Sequence, residues 1–190
     1  AEQGAQIVVL PEYFCLMGQN EHDKLAVAEL FSHNPSPDAQ PLQHFLRQQA
    51  MQHQVYLVAG TIPLQSADPH KVYNSSLVYS PAGEVQARYD KIHLFGFSNG
   101  AESYNEADAI MAGAADNVCI WQSPWVRFVI SICYDLRFPE LFRQGGDVLA
   151  WILTAAFTQT TGQAHWEVLL RARAIENQCY VVACGQGGWH

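Results

Sequence analysis

The sequence has few basic residues and no long apolar run. Its 190 residues include 10 Lys and Arg against 18 Asp and Glu, which gives a formal net charge of −8. Because phosphate groups bind clustered Lys and Arg, this balance argues against nucleic acid or an anionic membrane as a partner. No stretch of about 18 apolar residues occurs, so we expect no transmembrane helix. Residues 1–20 also lack a basic segment ahead of an apolar run, and we expect no signal peptide.

A regular cysteine pattern is also absent. The five cysteines, at positions 15, 119, 133, 179 and 184, are odd in number and irregularly spaced. They argue against a disulfide framework and predict a reducing, cytoplasmic setting. Cys179, Cys184 and His190 lack the C-x-x-C pairing of a zinc site, and no Gly-rich phosphate loop occurs. We therefore expect neither a metal nor an organic cofactor.

What the sequence does contain is an alternation of short buried strands and helices. Strands are predicted at residues 7–10, 55–61, 126–132, 148–153 and 181–183, with a hairpin at 75–79 and 85–89. Helices are predicted at residues 41–53, 139–144 and 163–180, the last burying a stripe of Val168, Ala172, Ile175 and Cys179. Residues 94–117 keep no steady period and predict a long functional loop with one helical turn. Without a repeat or linker, residues 1–190 predict a single α/β domain.

Three chemically reactive residues lie at predicted strand ends. Glu12 follows the first strand, Lys91 ends the second hairpin strand, and Cys133 follows the strand at 126–132. Sites in open α/β sheets form at the carboxyl ends of strands. A thiol nucleophile, a carboxylate base and an ammonium that stabilises an oxyanion make a coherent catalytic set. Desolvation would raise the pKa of Glu12, and the Lys91 ammonium with a following helix would favour the Cys133 thiolate.

Each of these residues also has an ordinary explanation. A free cysteine such as Cys133 commonly packs as a small hydrophobe, and most glutamates are solvated surface groups. Lys91 could be a surface lysine paired with its neighbour Asp90. His93 could serve as the base of a Cys–His pair, although a structural, hydrogen-bonded histidine is the commoner case.

Three segments decide between these explanations. Residues 10–12 (LPE), 89–94 (YDKIHL) and 133–140 (CYDLRFPE) resemble, in order, the signature segments of the nitrilase superfamily. Residues 161–180 are similar to a later helix of the same family. Within the superfamily, the chain resembles the branch of deaminated-glutathione amidases and ω-amidases.

The resemblance implies a four-layer αββα sandwich with Glu12, Lys91 and Cys133 as its catalytic triad. It also implies a second glutamate, for which Glu106 is the candidate, seven residues ahead of Gly113, and Glu102 is the competitor. The family's first strand and helix, and the strands after its Gly-Gly region, have no counterpart here. We therefore expect a fragment that is incomplete at both ends, and the family implies a homo-oligomer.

The activity that the resemblance implies is hydrolysis of a small linear carboxamide to a carboxylate and ammonia through a thioester. It suggests deaminated glutathione or a similar α-keto acid ω-amide as the substrate. The N–H of Tyr134 would hold the oxyanion, and Phe157 and Thr158 would line the pocket. Arg137, Arg173 and the backbone of residues 158–162 are alternative partners for the substrate carboxylate. Nitrile hydrolysis, N-carbamoyl amide cleavage and an inactive binding domain are the alternative functions.

Overall fold

The computed structural model describes residues 3–100 and 103–188, and its larger elements form two sheets. The first sheet contains β1 (Ile7–Val9), β2 (Tyr56–Val58), β3 (Ile62–Gln65), β4 (Val72–Tyr79) and β5 (Val85–Asp90). Strand β1 pairs parallel with β2, and β4 pairs antiparallel with β2, β3 and β5. A small separate hairpin joins β6 (Gly96–Ser98) and β7 (Ser103–Asn105).

The second sheet has the order β11-β10-β9-β8. Its strands are β8 (Cys119–Gln122), β9 (Arg127–Ile132), β10 (Ala150–Ala155) and β11 (Tyr180–Gly185). Strand β10 is parallel to both β9 and β11, whereas β8 is antiparallel to β9. The helices are α1 (Pro41–His53), α2 (Pro139–Gln144) and α3 (Gln159–Asn177).

The two sheets pack face to face, and the helices cover their outer faces. One apolar cluster joins Val58 and Val78 of the first sheet to Ile130 and Ile152 of the second. Helix α1 buries Leu46 and Ala50 against the other face of the first sheet. Helices α2 and α3 cover the second sheet through a cluster that includes Phe142 and Trp151. The layers therefore run helix, sheet, sheet, helix, which is the predicted αββα order.

Several predicted elements have the predicted bounds, and others do not. Helices α1 and α2 occupy the predicted residues. The strand predicted at 55–61 is present as β2 but is shorter than predicted, because the chain turns at Gly60, where φ is +53°. A Cβ atom there would lie 2.1 Å from the carbonyl oxygen of Pro11, so only glycine fits this turn. The loop at 94–117 contains the β6–β7 hairpin as well as a 3₁₀ turn at Glu106–Asp108.

The buried stripe predicted for the last helix is wrong. Val168 is 60% exposed and Ile175 is 76% exposed. The packed side of α3 instead carries Trp166, Leu169 and Leu170, which contact the second sheet. The helix also begins earlier than predicted, because the side chain of Thr158 caps its first turn.

None of the described helices combines the length and the apolar composition that crossing a membrane requires. Among the described residues, no group of three or more His, Cys, Asp or Glu side chains has a metal-binding arrangement. Cys179 and Cys184 are free thiols, and His190 lies outside the described residues.

Candidate active site

Cys133 lies directly after β9, at the start of a 3₁₀ turn formed by Cys133–Arg137. Its φ of +45° falls in the left-handed region, which is costly for a residue with a side chain. The backbone N–H groups that open such a turn have no partner within it. Tyr134 is the second residue of this turn, and its predicted role as an oxyanion donor stays a prediction.

Asp135 holds the strained turn in place. Its buried carboxylate accepts hydrogen bonds from the backbone N–H of Ile132 (2.9 Å), the backbone N–H of His93 (3.0 Å) and the hydroxyl of Tyr89 (2.8 Å). The Nδ1 atom of His93 lies 2.7 Å from the same carboxylate, and the His93 ring stacks on Phe138. His93 therefore has the structural position that was expected of it, since it supports the turn through Asp135.

Glu12 lies just beyond β1, and its side chain is 1% exposed. One carboxylate oxygen, Oε1, accepts hydrogen bonds from Lys91 Nζ and Asn74 Nδ2, both at 2.9 Å. The other oxygen, Oε2, accepts from the backbone N–H of Ala156 at 2.9 Å. The thiol of Cys133 lies close enough to this carboxylate for each group to affect the pKa of the other.

Lys91 lies between two buried carboxylates. Its ammonium donates to Glu12 at 2.9 Å and to Glu106 at 2.8 Å, and all three side chains are almost fully buried. An ammonium has three hydrogens, so these two partners leave one for a substrate oxygen. The N–H of Gly113 donates to the backbone carbonyl of Lys91, and Gly113 also lies close to the backbone of Asp90. These two contacts hold the backbone at Lys91 in place.

Glu106 begins the 3₁₀ turn after β7, and its carboxylate points at Lys91. It also accepts hydrogen bonds from the hydroxyl of Tyr13 at 2.7 Å and from the backbone N–H of Phe95 at 2.6 Å. Of the two glutamates considered for this role, Glu106 occupies the site, and Glu102 lies outside the described residues.

Burial and mutual contact set the charges of the site. Burial raises the pKa of Glu12 despite the opposing effect of the Lys91 ammonium, as predicted. Burial also opposes a charge on Lys91, but the carboxylates of Glu106 and Glu12 outweigh it and hold the pKa of Lys91 well above its usual range. Burial opposes the charge of Glu106, but the Lys91 ammonium together with the hydrogen bonds from Lys91, Phe95 and Tyr13 lowers the pKa of that carboxyl. The site thus keeps Lys91 charged.

The Lys91 ammonium favours the Cys133 thiolate, as predicted, but other effects on this thiol are larger. Burial and the neighbouring Glu12 carboxylate raise the pKa of Cys133 well above its usual range, and the Lys91 ammonium offsets only part of this effect. The resting Cys133 side chain is therefore a thiol that lies near the Glu12 carboxylate.

A small, partly open cavity lies next to Cys133. Tyr134, Phe157 and Thr158, the residues predicted to bind substrate, line it together with Phe95 and Arg137. The Arg137 guanidinium lies over the rings of Tyr134 and Phe157 and 3.2 Å from His165 Nδ1.

Arg173 does not line this cavity. It is buried, donates to the carbonyl of Leu136 at 2.9 Å, and pairs with Glu176. Arg173 is therefore a structural residue, which leaves Arg137 as the cationic candidate for a substrate carboxylate.

The comparison with protein families covers the whole chain. Residues 1–190 match the model described as carbon-nitrogen hydrolase. The chain belongs to the nitrilase superfamily. The family and the fold that the three sequence segments predicted are confirmed.

Individual relatives of this nitrilase-superfamily chain are amidases by name. It is 42% identical over 194 residues to the deaminated glutathione amidase of Synechocystis sp. (strain PCC 6803 / GT-S), which covers 99% of this chain and 68% of that one. It is 37% identical to human omega-amidase NIT2, over 95% of this chain and 62% of the relative. The crystal structure of Caenorhabditis elegans NitFhit superposes with a TM-score of 0.81 at 36% identity, over 100% of this chain and 45% of that one.

By family and relatives, the chain is a carbon–nitrogen hydrolase of the amidase type. It spans about two thirds of the length of the two amidases.

Two residues of the nitrilase-superfamily site were missed from the sequence. The backbone N–H of Ala156 carries no sequence signal, because any residue supplies the same donor. Asn74 does carry one, since asparagine is depleted in strand interiors and this one lies within β4. An asparagine in a buried strand next to the predicted hairpin indicates a side chain that needs a polar partner.

Proposed function

We propose that this chain hydrolyses a small linear carboxamide with Cys133 as nucleophile, Glu12 as base and Lys91 as electrostatic partner. The observation that carries the proposal is the buried Glu12–Lys91 ion pair close to Cys133, which lines a cavity. A thiol whose pKa is raised needs a base at the moment of attack. We assign that role to Glu12, because its buried carboxylate lies near the thiol.

The geometry supports a sequence of steps in which Glu12 passes on each proton that it accepts. As Cys133 Sγ forms its bond to the amide carbon, Glu12 takes the thiol proton, and the carbonyl oxygen becomes an oxyanion. The third hydrogen of Lys91 and the N–H of Tyr134 bind that oxyanion. Glu12 returns the proton to the leaving nitrogen, the carbon–nitrogen bond breaks, and a thioester remains on Cys133. Glu12 then accepts a proton from water as the water oxygen attacks the thioester carbon, and it passes that proton to the leaving sulfur, so that the acid product, the free thiol and the Glu12 carboxylate form.

The leaving group follows from the substrate. A primary amide releases ammonia, whereas a substituted amide such as deaminated glutathione releases an amine. The site needs no other reactant than water for either one.

We further propose an α-keto acid ω-amide as the substrate, with deaminated glutathione as the leading candidate. Two observations support it: the amidase names of the relatives and the Arg137 guanidinium beside the cavity. A guanidinium binds a carboxylate with paired, charge-assisted hydrogen bonds. The cavity thus offers a cation for the acid end of such a substrate while Cys133 reaches its amide.

A substrate panel tests the proposal. The full chain is incubated with α-ketoglutaramate, deaminated glutathione, a simple nitrile and an N-carbamoyl amino acid, and the acid product is measured by mass spectrometry. We expect the acid from the first two compounds only. Preferential turnover of the nitrile or the carbamoyl compound would mean that the same triad performs a different reaction.

A thiol probe distinguishes an enzyme from an inactive binding domain. Burial raises the pKa of Cys15 to about 11 and that of Cys119 to about 12. Cys133 alone among these three lines the cavity, and we propose that Glu12 takes its proton, so acrylamide should alkylate Cys133 fastest. No turnover of any compound, together with equal labelling of all three thiols, would support the binding-domain alternative.

Replacing Arg137 by leucine should weaken binding of the charged substrates specifically. A lost charge-assisted hydrogen bond corresponds to about a 10- to 100-fold rise in KM. We expect this rise for α-ketoglutaramate, with little change in the slow turnover of acetamide, which has no carboxylate. The measurement is steady-state kinetics on both amides.

Arg171→Leu is the matched control for that variant. Arg171 is exposed on α3 and pairs with Glu167, away from the Cys133 cavity. Its replacement should leave both KM values unchanged. Equal losses on α-ketoglutaramate and acetamide in Arg137→Leu would show that Arg137 supports the site rather than binding the carboxylate.

A further inference from the structure

Asn74 contacts two members of the proposed triad at once. Its Nδ2 atom donates to Glu12 Oε1 at 2.9 Å, and its backbone carbonyl accepts from the N–H of Lys91 at 2.9 Å. The residue is 1% exposed and lies within β4, which pairs with β5 just ahead of Lys91. A side chain on a central strand, fixed by its backbone, is a rigid support for a carboxylate.

The hydrogen bonds to Glu12 divide its two oxygens into different roles. Oε1 receives Lys91 and Asn74, which together occupy its two acceptor positions. Oε2 receives one donor, the Ala156 N–H, and keeps one position open. Ala156 and Cys133 line the same cavity, so Oε2, which the Ala156 N–H binds, is the oxygen on the side of the thiol.

We propose that Asn74 is a positioning residue that fills Oε1 of Glu12 and so directs the proton of Cys133 to Oε2. This inference rests on the proposed function, because it assigns Glu12 as the base. Without the Asn74 amide, Oε1 gains an open acceptor position, and the carboxylate loses one of the donors that stabilise its charged form. The base then ionises less readily and can rotate away from the thiol.

A purely structural role explains Asn74 less well. Within the described residues, the Oδ1 atom of Asn74 is buried without a hydrogen-bond partner. A buried amide that satisfies only one of its two polar ends is a poor packing residue, and an apolar side chain of similar size would fill the space at lower cost. The contact to Glu12 is what the amide supplies.

The pH dependence of Cys133 alkylation tests this role without any amide substrate. Acrylamide is added to the full chain across a pH series, and the adduct on Cys133 is measured by mass spectrometry. In the wild type, we expect labelling to begin as Glu12 loses its proton and can accept that of the thiol. Removing a donor from the carboxylate raises the pKa of Glu12, so Asn74→Leu should shift this onset upward by about one pH unit.

Ser76→Ala is the matched control. Ser76 is buried on the same face of β4, two residues along, and its hydroxyl has no hydrogen-bond partner among the described residues. Labelling of Cys133 in Ser76→Ala should begin at the same pH as in the wild type. Thermal unfolding of each variant checks that it is folded, and Asn74→Ala replaces Asn74→Leu if the leucine does not fit.

Glu12→Gln separates failure of this inference from failure of the proposed function. If Glu12→Gln keeps the wild-type onset, Glu12 is not the base and the proposed function is wrong in that part. If Cys133 labelling in Glu12→Gln no longer begins at the wild-type pH, but labelling in both Asn74 variants does, only the role of Asn74 is overturned. An upward shift in the Asn74 variants, with Ser76→Ala unchanged, supports it.

Discussion

A Cys133→Ala variant is expected to form no detectable acid product from α-ketoglutaramate or deaminated glutathione. The thioester requires the sulfur, and Cys133 is the only cysteine of the described residues that lines the cavity. Removing the nucleophile of a covalent mechanism reduces kcat by at least about 10⁴-fold. The acid product is measured after long incubations, so that slow residual turnover is detected.

Cys119→Ala is the matched control for this loss. Cys119 and Cys133 are both 8% exposed, and both contribute to the apolar cluster between the sheets. Any effect of losing a buried thiol on stability should therefore be similar in the two variants. Wild-type activity in Cys133→Ala would mean that another residue is the nucleophile, and a complete loss in Cys119→Ala would mean that packing alone explains the result.

A Lys91→Met variant is expected to lose about 3–5 kcal/mol of unfolding free energy near neutral pH, as well as its activity. Lys91 is the shared cation of two buried carboxylates, and its removal leaves both charges uncompensated. Methionine keeps the length and apolar character of the stem, so lost packing contributes little. Urea unfolding, followed by tryptophan fluorescence, measures the change.

The pH dependence of this destabilisation has a definite sign. In the wild type, Lys91 lowers the folded-state pKa of Glu106, so this group contributes stability above its unfolded pKa and loses it as pH falls through the folded pKa. Without Lys91, the pKa of Glu106 rises and this contribution disappears. The deficit of Lys91→Met should therefore be largest near neutral pH and shrink in acid, where the carboxylates are protonated.

Lys24→Met is a useful comparison, because Lys24 is also buried but pairs with a single carboxylate. Its partner Glu21 is 28% exposed at the side chain, and water screens that pair. We expect a smaller loss of stability that changes little with the protonation of Glu106. Equal losses in the two lysine variants, or a Lys91→Met deficit that grows in acid, would contradict the assignment of Lys91 as the centre of the charge network.

The sequence predicts the site more completely than the fold around it. Glu12, Lys91 and Cys133 each follow a strand, and this placement alone makes them a plausible set. The three motif segments then identify the family, and the structure brings all three side chains together with Glu106. The roles of these residues stay predictions until the variants above are measured.

What the sequence could not provide depends on contacts between distant segments. The turn at Gly60 results from its close approach to Pro11, some fifty residues earlier, and periodicity carries no trace of it. The buried side of α3 was misassigned because apolar side chains such as Ile175 mark a core face only when a neighbour covers them. The raised pKa of Cys133 depends on how deeply the site is buried, which charge counting along the chain does not reveal.

The most direct test of the central claim is to trap the thioester. The full chain is mixed with excess α-ketoglutaramate, quenched in acid within its first turnovers, digested and analysed by mass spectrometry. We predict that the peptide containing Cys133 gains the mass of the substrate's acyl group and loses it on treatment with hydroxylamine. Product formation with an unmodified Cys133 peptide, or with the acyl group on Cys15 or Cys119 instead, would contradict covalent catalysis at Cys133.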